Sequence, residues 1–262
     1  MTRSTTPFLA ALALVGFAVS ASANNIPFTY TEDFDSTPVG VNLPAGWDET
    51  NGDFDIVSPG PGLSPASNRA VQIIASGSSS IEQATYNGLS DDSVDSSDWL
   101  DYDITARLST DNWSDTTSLW WGMGVREQAD GSMLGFRMRG NQGTFGGAIQ
   151  IIRIMSTGGV STLATSASTS LIDPDEYVDI EFTVTNDDAN DEIDIFAQFT
   201  PEAISSTTRD VSVSVPYTSG NAITDAGPLT LITNAPNFGF AWDDINITGE
   251  AAPEPASLAL LG

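Results

Sequence analysis

The 262-residue chain carries 35 acidic and 8 basic residues, a formal net charge of −27 at neutral pH. This charge opposes binding to nucleic-acid phosphates or anionic lipid, because no basic stripe exists to neutralise them. The chain has no cysteine, histidine or lysine, which excludes a Ser-His-Asp triad, a thiol nucleophile, a disulfide, a zinc site with nitrogen or sulfur ligands, and a Schiff base.

Residues 1–23 have the features of an export signal. Arg3 supplies a positive start, residues 7–19 form an apolar run too short to span a bilayer, and Ala21 and Ala23 form a small-x-small cleavage signal. We therefore expect this segment to be removed and the mature protein to act outside the cytoplasm. A buried N-terminal helix is the alternative interpretation of the apolar run.

The body, residues 24–249, consists of short strand patterns separated by Gly, Pro, Asn and Asp. Residues 178–184 alternate apolar and polar side chains, as a half-buried strand does, and no ten-residue window shows a helical stripe. These patterns predict one all-β domain, an antiparallel β-sandwich. Further strands are predicted at 53–57, 70–75, 81–86, 102–108, 119–126, 133–139, 148–155, 160–164, 193–196, 211–215 and 238–247.

Three hairpin turns are predicted between neighbouring strands. Residues 129–132 (ADGS), the Gly158-Gly159 pair and residues 186–191 (NDDAND) each place Gly, Asn or Asp between two strand patterns. These residue types accept the backbone conformations of tight turns, so the flanking strands should pair with each other.

Three segments of the body resemble concanavalin A-like, laminin-G-type jelly rolls. They are the opening EDFD at residues 32–35, the middle segments DYDITARLST at 101–110 and WWGMGVREQADGSMLGFRMRG at 120–140, and the closing NFGFAWDDINITG at 237–249. The resemblance implies a jelly-roll fold in which the first and last strands are neighbours.

Acidic residues at the two ends of the body form a candidate calcium site. Glu32, Asp33 and Asp35 lie at the start, and Asp243 and Asp244 lie near the finish. Calcium takes six to eight oxygen ligands, which carboxylates and carbonyls supply. The resemblance implies a structural ion at this position, and solvated strand ends are the alternative.

Adjacent tryptophans and a pair of arginines form a candidate carbohydrate-binding face. In a strand, one of Trp120 and Trp121 points inward and the other outward. The outward ring, with Arg137 and Arg139 on one face of the next strand, would form a patch for an acidic polysaccharide. The alternative is that the tryptophans are core residues and the arginines pair with nearby acids.

The set of acids needed for glycoside hydrolysis is incomplete. Jelly-roll hydrolases of the laminarinase type place three acids on one strand face as E-x-D-x-E. Here Glu192 and Asp194 match the first two acids, but Phe196 stands where the general acid belongs. We therefore expect no catalytic residues and no enzymatic activity.

Residues 250–262 resemble the PEP-CTERM sorting signal of Gram-negative bacteria. Pro253, Glu254 and Pro255 match its motif, and residues 256–262 match the start of its helix. A spanning helix needs about 20 apolar residues, so we expect a truncated or degenerate signal and no stable membrane span. The resemblance implies an exosortase-type processing partner and a location at the cell surface or in the extracellular matrix.

These observations predict an exported, non-catalytic protein that binds carbohydrate or exopolysaccharide. One alternative is a structural matrix protein that associates with itself and binds no sugar. Another is a glycan-active hydrolase or lyase. Structural Ca²⁺ is the one cofactor that the sequence predicts.

Overall fold

The computed structural model describes residues 25–57, 70–73, 81–88, 94–109, 120–139, 147–167, 177–202, 208–234 and 241–252. Within these ranges the chain forms strands and one turn of 3-10 helix, Ser96–Asp98. The strands are β1 (Ile26–Glu32), β2 (Trp47–Asn51), β3 (Phe54–Val57), β4 (Ala70–Ile73), β5 (Glu82–Tyr86), β6 (Trp99–Ser109), β7 (Trp120–Val125), β8 (Met133–Arg139), β9 (Ile149–Ile154), β10 (Val160–Thr165), β11 (Tyr177–Asp187), β12 (Glu192–Pro201), β13 (Arg209–Pro216), β14 (Thr230–Thr233) and β15 (Ala241–Ala251).

The strands form two antiparallel sheets. Sheet A has the order β13-β12-β11-β6-β15-β4-β3, with β1 also paired to β15, and sheet B has the order β10-β9-β8-β7-β14-β5-β2. Strands distant in sequence are neighbours in both sheets, as in a jelly roll. The predicted all-β antiparallel jelly-roll sandwich is therefore confirmed.

Alternating side chains build the core between the sheets. In β11, Ile180 and Phe182 are buried while Asp179 and Glu181 are exposed, so one face of the strand lies against sheet B. The centre of the core is aromatic. Phe136 of sheet B lies 4.9 Å from Phe182 and 5.4 Å from Phe199 of sheet A, measured between ring centres.

The structure contains all three predicted hairpins. Strands β7 and β8, β9 and β10, and β11 and β12 pair antiparallel around the three turn segments. Gly131 and Gly158 have φ angles of 79° and 77°, and Asp191 has φ 55°. These left-handed conformations explain why glycine and aspartate occupy the turns.

Three strands were not among the predicted ones. β14 is buried along all four residues, so it shows no alternation. β2, WDETN, is mostly polar. β1 contains Pro27, and proline is tolerated there because, among the described strands, β1 pairs with β15 on one side alone.

A buried ion pair joins the end of β7 to β6. Arg126 is 0% exposed and its Nη2 lies 3.2 Å from Asp101 Oδ1. Its Nε and Nη1 donate to the carbonyl oxygens of Leu100 and Ile223, at 2.7 and 2.8 Å. Burial lowers the pKa of Arg126 and raises that of Asp101. The contact between Arg126 and Asp101 therefore has to offset the hydration that both charged groups lose on burial.

The predicted signal at residues 1–23 and the Pro253-Glu254-Pro255 motif lie outside the described residues. In the described part of the chain, no helix has both the length and the apolar character needed to cross a bilayer.

Candidate functional site

The outer face of sheet B carries two partly exposed arginines, Arg137 and Arg139. They lie two residues apart on β8, so both point to the same side of the sheet. In the backbone register, Arg137 lies opposite Gln150 on β9 and Arg139 lies opposite Trp120 on β7. Strand alternation therefore brings the predicted arginines and the outward tryptophan together on one face.

Hydrogen bonds connect Arg137 to the edge of the sheet. Its Nε donates to Gln150 Oε1 at 2.8 Å, and its Nη2 donates to Thr162 Oγ1 at 3.3 Å. Gln150 Nε2 in turn donates to Thr165 Oγ1 at 3.2 Å. We call these four residues, Arg137, Gln150, Thr162 and Thr165, the Arg137 ladder.

The ladder is partly open to solvent. Thr162 and Thr165 on β10 are exposed, Arg137 is partly exposed, and Gln150 is 3% exposed beneath them. A buried amide thus holds the guanidinium in place while the hydroxyl groups at the edge of the sheet contact water. The arrangement offers donors and acceptors to a polar ligand without requiring their side chains to be ordered on binding.

Arg137 and Arg139 carry charges that no described acid pairs with. Burial, and then the charge of Arg139, lower the pKa of Arg137 to about 10. Among the described residues, the salt bridges involve only two other arginines. Arg107 on sheet A contacts Asp179 at 3.2 Å and Glu202 at 2.7 Å. No such partner neutralises Arg137 or Arg139 within the described ranges.

The two predicted tryptophans have different positions, and neither is open for stacking. Trp121 points inward, is 0% exposed and packs 5.3 Å from Phe199 between ring centres. Trp120 points outward, as one of the pair must, but is only 4% exposed and packs with Met133 and Ile152. The prediction that the outward tryptophan ring is open to a sugar is therefore wrong. Trp120 instead supports Arg137, whose guanidinium carbon lies 5.4 Å from its ring centre.

Glycines allow close backbone contact beneath the site. A β-carbon at Gly122 would overlap the carbonyl oxygen of Phe136, and one at Gly135 would overlap that of Met123. Only glycine fits where two backbones approach this closely. The strands that carry Arg137 and Trp120 therefore have their spacing fixed by residues without side chains.

The candidate calcium residues meet at one end of sheet A. β1 pairs antiparallel with β15, and Glu32 lies opposite Ile245, so the predicted proximity of the two chain segments is observed. Glu32, Asp33 and Asp244 line one surface depression. Asp244 has φ 47°, because a β-bulge interrupts the pairing of β15 with β6 here.

The last two candidate ligands are close to this depression. Asp243 is fully buried and its Oδ1 accepts from the Asp244 amide at 2.8 Å. Burial and the charge of Asp244 raise the pKa of Asp243 to about 7, with a smaller contribution from Asp35. Carboxylates from two chain segments thus repel one another here. Calcium takes oxygen ligands of this kind, but among the described residues the acids that bring three carboxylates within 4.8 Å of one another are Asp187, Glu192 and Asp194, so calcium binding here stays a prediction.

The acids that match the hydrolase pattern lie on the outer face of sheet A, across the sandwich from the Arg137 ladder. Glu192 and Asp194 start β12 in sheet A, and their carboxylates lie within 4.8 Å of that of Asp187. Asp194 Oδ1 accepts from Ser214 Oγ at 2.5 Å. Phe196 lies two residues further along β12, on the same outer face as Asp194.

The sequence interpretation missed Gln150, Thr162 and Thr165. A signal for Gln150 was present, since it is the single uncharged polar residue in IQIIRI, a strand with three of its six residues fully buried at 0% exposure. The two threonines gave no signal, because hydroxyl residues are common in strands and their role depends on cross-strand register.

No protein-family profile and no curated protein sequence matches this chain. Among solved structures, it is similar to the metal-free form of lectin I-B4 from Griffonia simplicifolia, with TM-score 0.49, 10% identity, and coverage of 87% of this chain and 100% of that one. It is also similar to lectin UEA-II complexed with galactose, with TM-score 0.48, 9% identity, and coverage of 86% and 99%.

A third similar structure is the marine PL-14 alginate lyase from Aplysia kurodai. The TM-score is 0.42 at 8% identity, with coverage of 75% of this chain and 82% of that one. Similar folds host unrelated functions, so these similarities assign no activity to the chain.

Proposed function

We propose that this chain is an exported, non-catalytic protein that binds carbohydrate through the outer face of sheet B. The observation that carries the proposal is the Arg137 ladder, a hydrogen-bonded row of guanidinium, amide and hydroxyl groups that ends at solvent. Sugars present closely spaced hydroxyl groups, and such rows of donors and acceptors match them.

The rigidity of the ladder supports this proposal. Its members lie on three adjacent paired strands, β8, β9 and β10, rather than on loops. Gln150 is buried and contacts both Arg137 and Thr165, so the polar groups have defined positions before a ligand arrives. Binding then loses less conformational entropy.

A glycan array probed with the purified chain tests the proposal. We expect binding to a subset of glycans, and a blank array together with no affinity in titration calorimetry would refute sugar binding. Incubation with laminarin or alginate, followed by an assay for new reducing ends, tests the non-catalytic part. Release of reducing ends would show an enzyme.

A matched pair of substitutions locates the site. Thr162→Val removes one exposed hydroxyl of the ladder, while Thr200→Val removes an exposed hydroxyl from sheet A. Since a hydrogen bond contributes about 1 kcal/mol, Thr162→Val should weaken binding about fivefold and Thr200→Val should not change it. Equal effects, or a loss only with Thr200→Val, would place the site elsewhere.

The export and sorting parts of the proposal are supported by the two ends of the sequence. The segment at residues 1–23 has the order of charge, apolar run and small residues of an export signal, and Pro253-Glu254-Pro255 resembles the PEP-CTERM motif. We propose that an exosortase-type enzyme processes the chain at the surface of a Gram-negative bacterium. Mass spectrometry of the secreted protein, compared with a Glu254→Ala variant, tests this route.

A structural calcium ion belongs to the same proposal. Glu32, Asp33 and Asp244 line one depression, with Asp243 buried beside it. Bringing these carboxylates together costs electrostatic free energy that a divalent cation would offset. The ion would hold β1 against the start of β15 and would take no part in sugar binding, since the Arg137 ladder belongs to the other sheet.

Self-association as a structural matrix protein is the second candidate, and one edge strand favours it. β10, VSTLAT, ends sheet B and contains no charged residue and no proline. Natural edge strands usually carry such residues to prevent pairing with another chain. Light scattering across a concentration series tests this candidate, and a monomer at all concentrations would exclude it.

A further inference from the structure

We propose that the ligand of the Arg137 ladder is a polyuronate, a polysaccharide whose sugars carry carboxylates, and that Arg137 and Arg139 bind those carboxylates. This inference rests on the proposed function and specifies the class of sugar. The polyuronate inference depends on the charges of Arg137 and Arg139, whereas the proposed sugar binding depends on the hydrogen-bonding groups of the Arg137 ladder.

The first observation is the absence of an internal partner for two arginines. The sequence has 35 acidic residues for 8 arginines, so pairing within the fold is easily satisfied. Arg126 pairs with Asp101 and Arg107 pairs with Asp179 and Glu202. In the ranges that the structure describes, Arg137 and Arg139 make no such pair, which leaves their charge for a ligand.

The second observation is that the charge of Arg137 is partly desolvated and lies close to the like charge of Arg139. Arg137 is partly buried, and it donates hydrogen bonds to the neutral side chains of Gln150 and Thr162. Arg139 projects from the same face two residues away and its charge acts against that of Arg137. A bound carboxylate would offset both the repulsion and the partial desolvation.

The third observation concerns which guanidinium atoms remain. Nε and one N–H of Nη2 of Arg137 are engaged within the ladder, so the two N–H groups of Nη1 and the second of Nη2 remain for ligand oxygens. Arg139 lies about 7 Å further along the strand, the distance expected for residues i and i+2. Two cationic groups spaced along one strand suit a polymer that repeats its carboxylate, and the exposed hydroxyls of Thr162 and Thr165 suit its sugar hydroxyls.

The ligand test uses two polymers that differ only in charge. Polygalacturonate and its fully methyl-esterified form share a backbone, but only the first has free carboxylates. We expect calorimetry with the full chain, in buffer without added calcium, to show at least tenfold tighter binding to polygalacturonate. Dextran sulfate, a sulfated neutral backbone, tests whether any polyanion suffices.

The outcomes separate the two proposals. Equal affinity for the acid and its ester, with binding to both, would leave sugar binding intact and overturn the polyuronate inference. Dextran sulfate binding as tightly as polygalacturonate would also overturn it, because the face would then recognise charge alone. Binding to neither polymer, with a blank glycan array, would refute sugar binding itself.

Paired substitutions assign the effect to the arginines. Arg139→Gln should weaken polygalacturonate binding about tenfold, as expected for a charged hydrogen bond, and should leave binding of the ester unchanged. Arg107→Gln removes the same charge from sheet A and serves as the control. Unchanged polygalacturonate affinity in Arg139→Gln, with a native circular dichroism spectrum, would overturn the inference, as would an equal loss in Arg107→Gln.

Discussion

Gly122 on β7 lies directly opposite Arg137 on β8, and a β-carbon at Gly122 would overlap both the Phe136 carbonyl oxygen and the Arg137 α-carbon. The position of Arg137 on the outer face therefore depends on a neighbour without a side chain. A substitution at this glycine changes the spacing of the strands that carry the Arg137 ladder.

Gly122→Ala should lower the free energy of unfolding by about 1–3 kcal/mol, the range for overpacking of a closely packed position. Urea denaturation measures this change. Gly220→Ala is the matched control, because a β-carbon there meets no atom within 4 Å. Similar unfolding midpoints for the two variants would contradict the close approach of β7 and β8.

Asp101→Asn should destabilise the protein by about 3 kcal/mol, because it leaves the Arg126 guanidinium buried without a compensating charge. Asp179→Asn is the control. The Asp179 side chain, which pairs with Arg107, is 60% exposed. Exposed pairs contribute about 0–1 kcal/mol. If thermal and chemical denaturation show equal losses of unfolding free energy for both variants, the buried Arg126–Asp101 pair contributes no more than an exposed pair.

Glu82→Gln should stabilise the protein at neutral pH. Glu82 is 2% exposed, its Oε2 has no hydrogen-bond partner among the residues that the structure describes, and burial raises its pKa above the ordinary value. The folded state therefore favours the protonated carboxyl, whose stabilising contribution is complete below the ordinary pKa and is lost as the pH rises through the raised one.

Glutamine mimics the protonated form at every pH, so the stability gain of Glu82→Gln should be small near pH 4 and should grow towards neutral pH. The gain is about 1.4 kcal/mol for each unit by which folding raises the pKa of Glu82. Unfolding free energies measured from pH 4 to 8 test this, and a difference that does not change with pH would show that Glu82 is not the titrating group.

Calcium should raise the melting temperature and excess chelator should lower it, if Glu32, Asp33 and Asp244 bind the ion. A ligand at 100 times its dissociation constant adds about 2.7 kcal/mol to the stability of the folded state. Asp244→Asn should abolish most of the difference, whereas Asp210→Asn, at an exposed acid on the edge strand β13, should retain it. Identical melts in calcium and in chelator would end the calcium proposal.

Local patterns in the sequence predicted much of the fold. The alternation at residues 178–184 identifies β11, and the glycines at 131 and 158 identify two hairpins. β14 was not predicted because a strand buried on both faces has no alternation. Such strands become recognisable only when their neighbours are known.

The candidate site was predicted only in part. Alternation places Arg137 and Arg139 on one face and separates Trp120 from Trp121. It carries no information on the side chains that cover Trp120, because Met133 and Ile152 reach it through strand pairing. The contact between Gln150 and Arg137 likewise depends on the register of β8 and β9, which the sequence of either strand alone does not specify.

Strand β15 determines when this protein can fold. It lies between β6 and the pair β1 and β4, and Ile26, in the first strand, pairs with Ala251, the last residue of β15. Sheet A therefore cannot be completed until nearly the whole chain has been synthesised, although β6, β11, β12 and β13 can pair before β15 emerges. Contacts between such distant segments make folding slow, and a chaperone has that entire interval in which to bind the nascent chain.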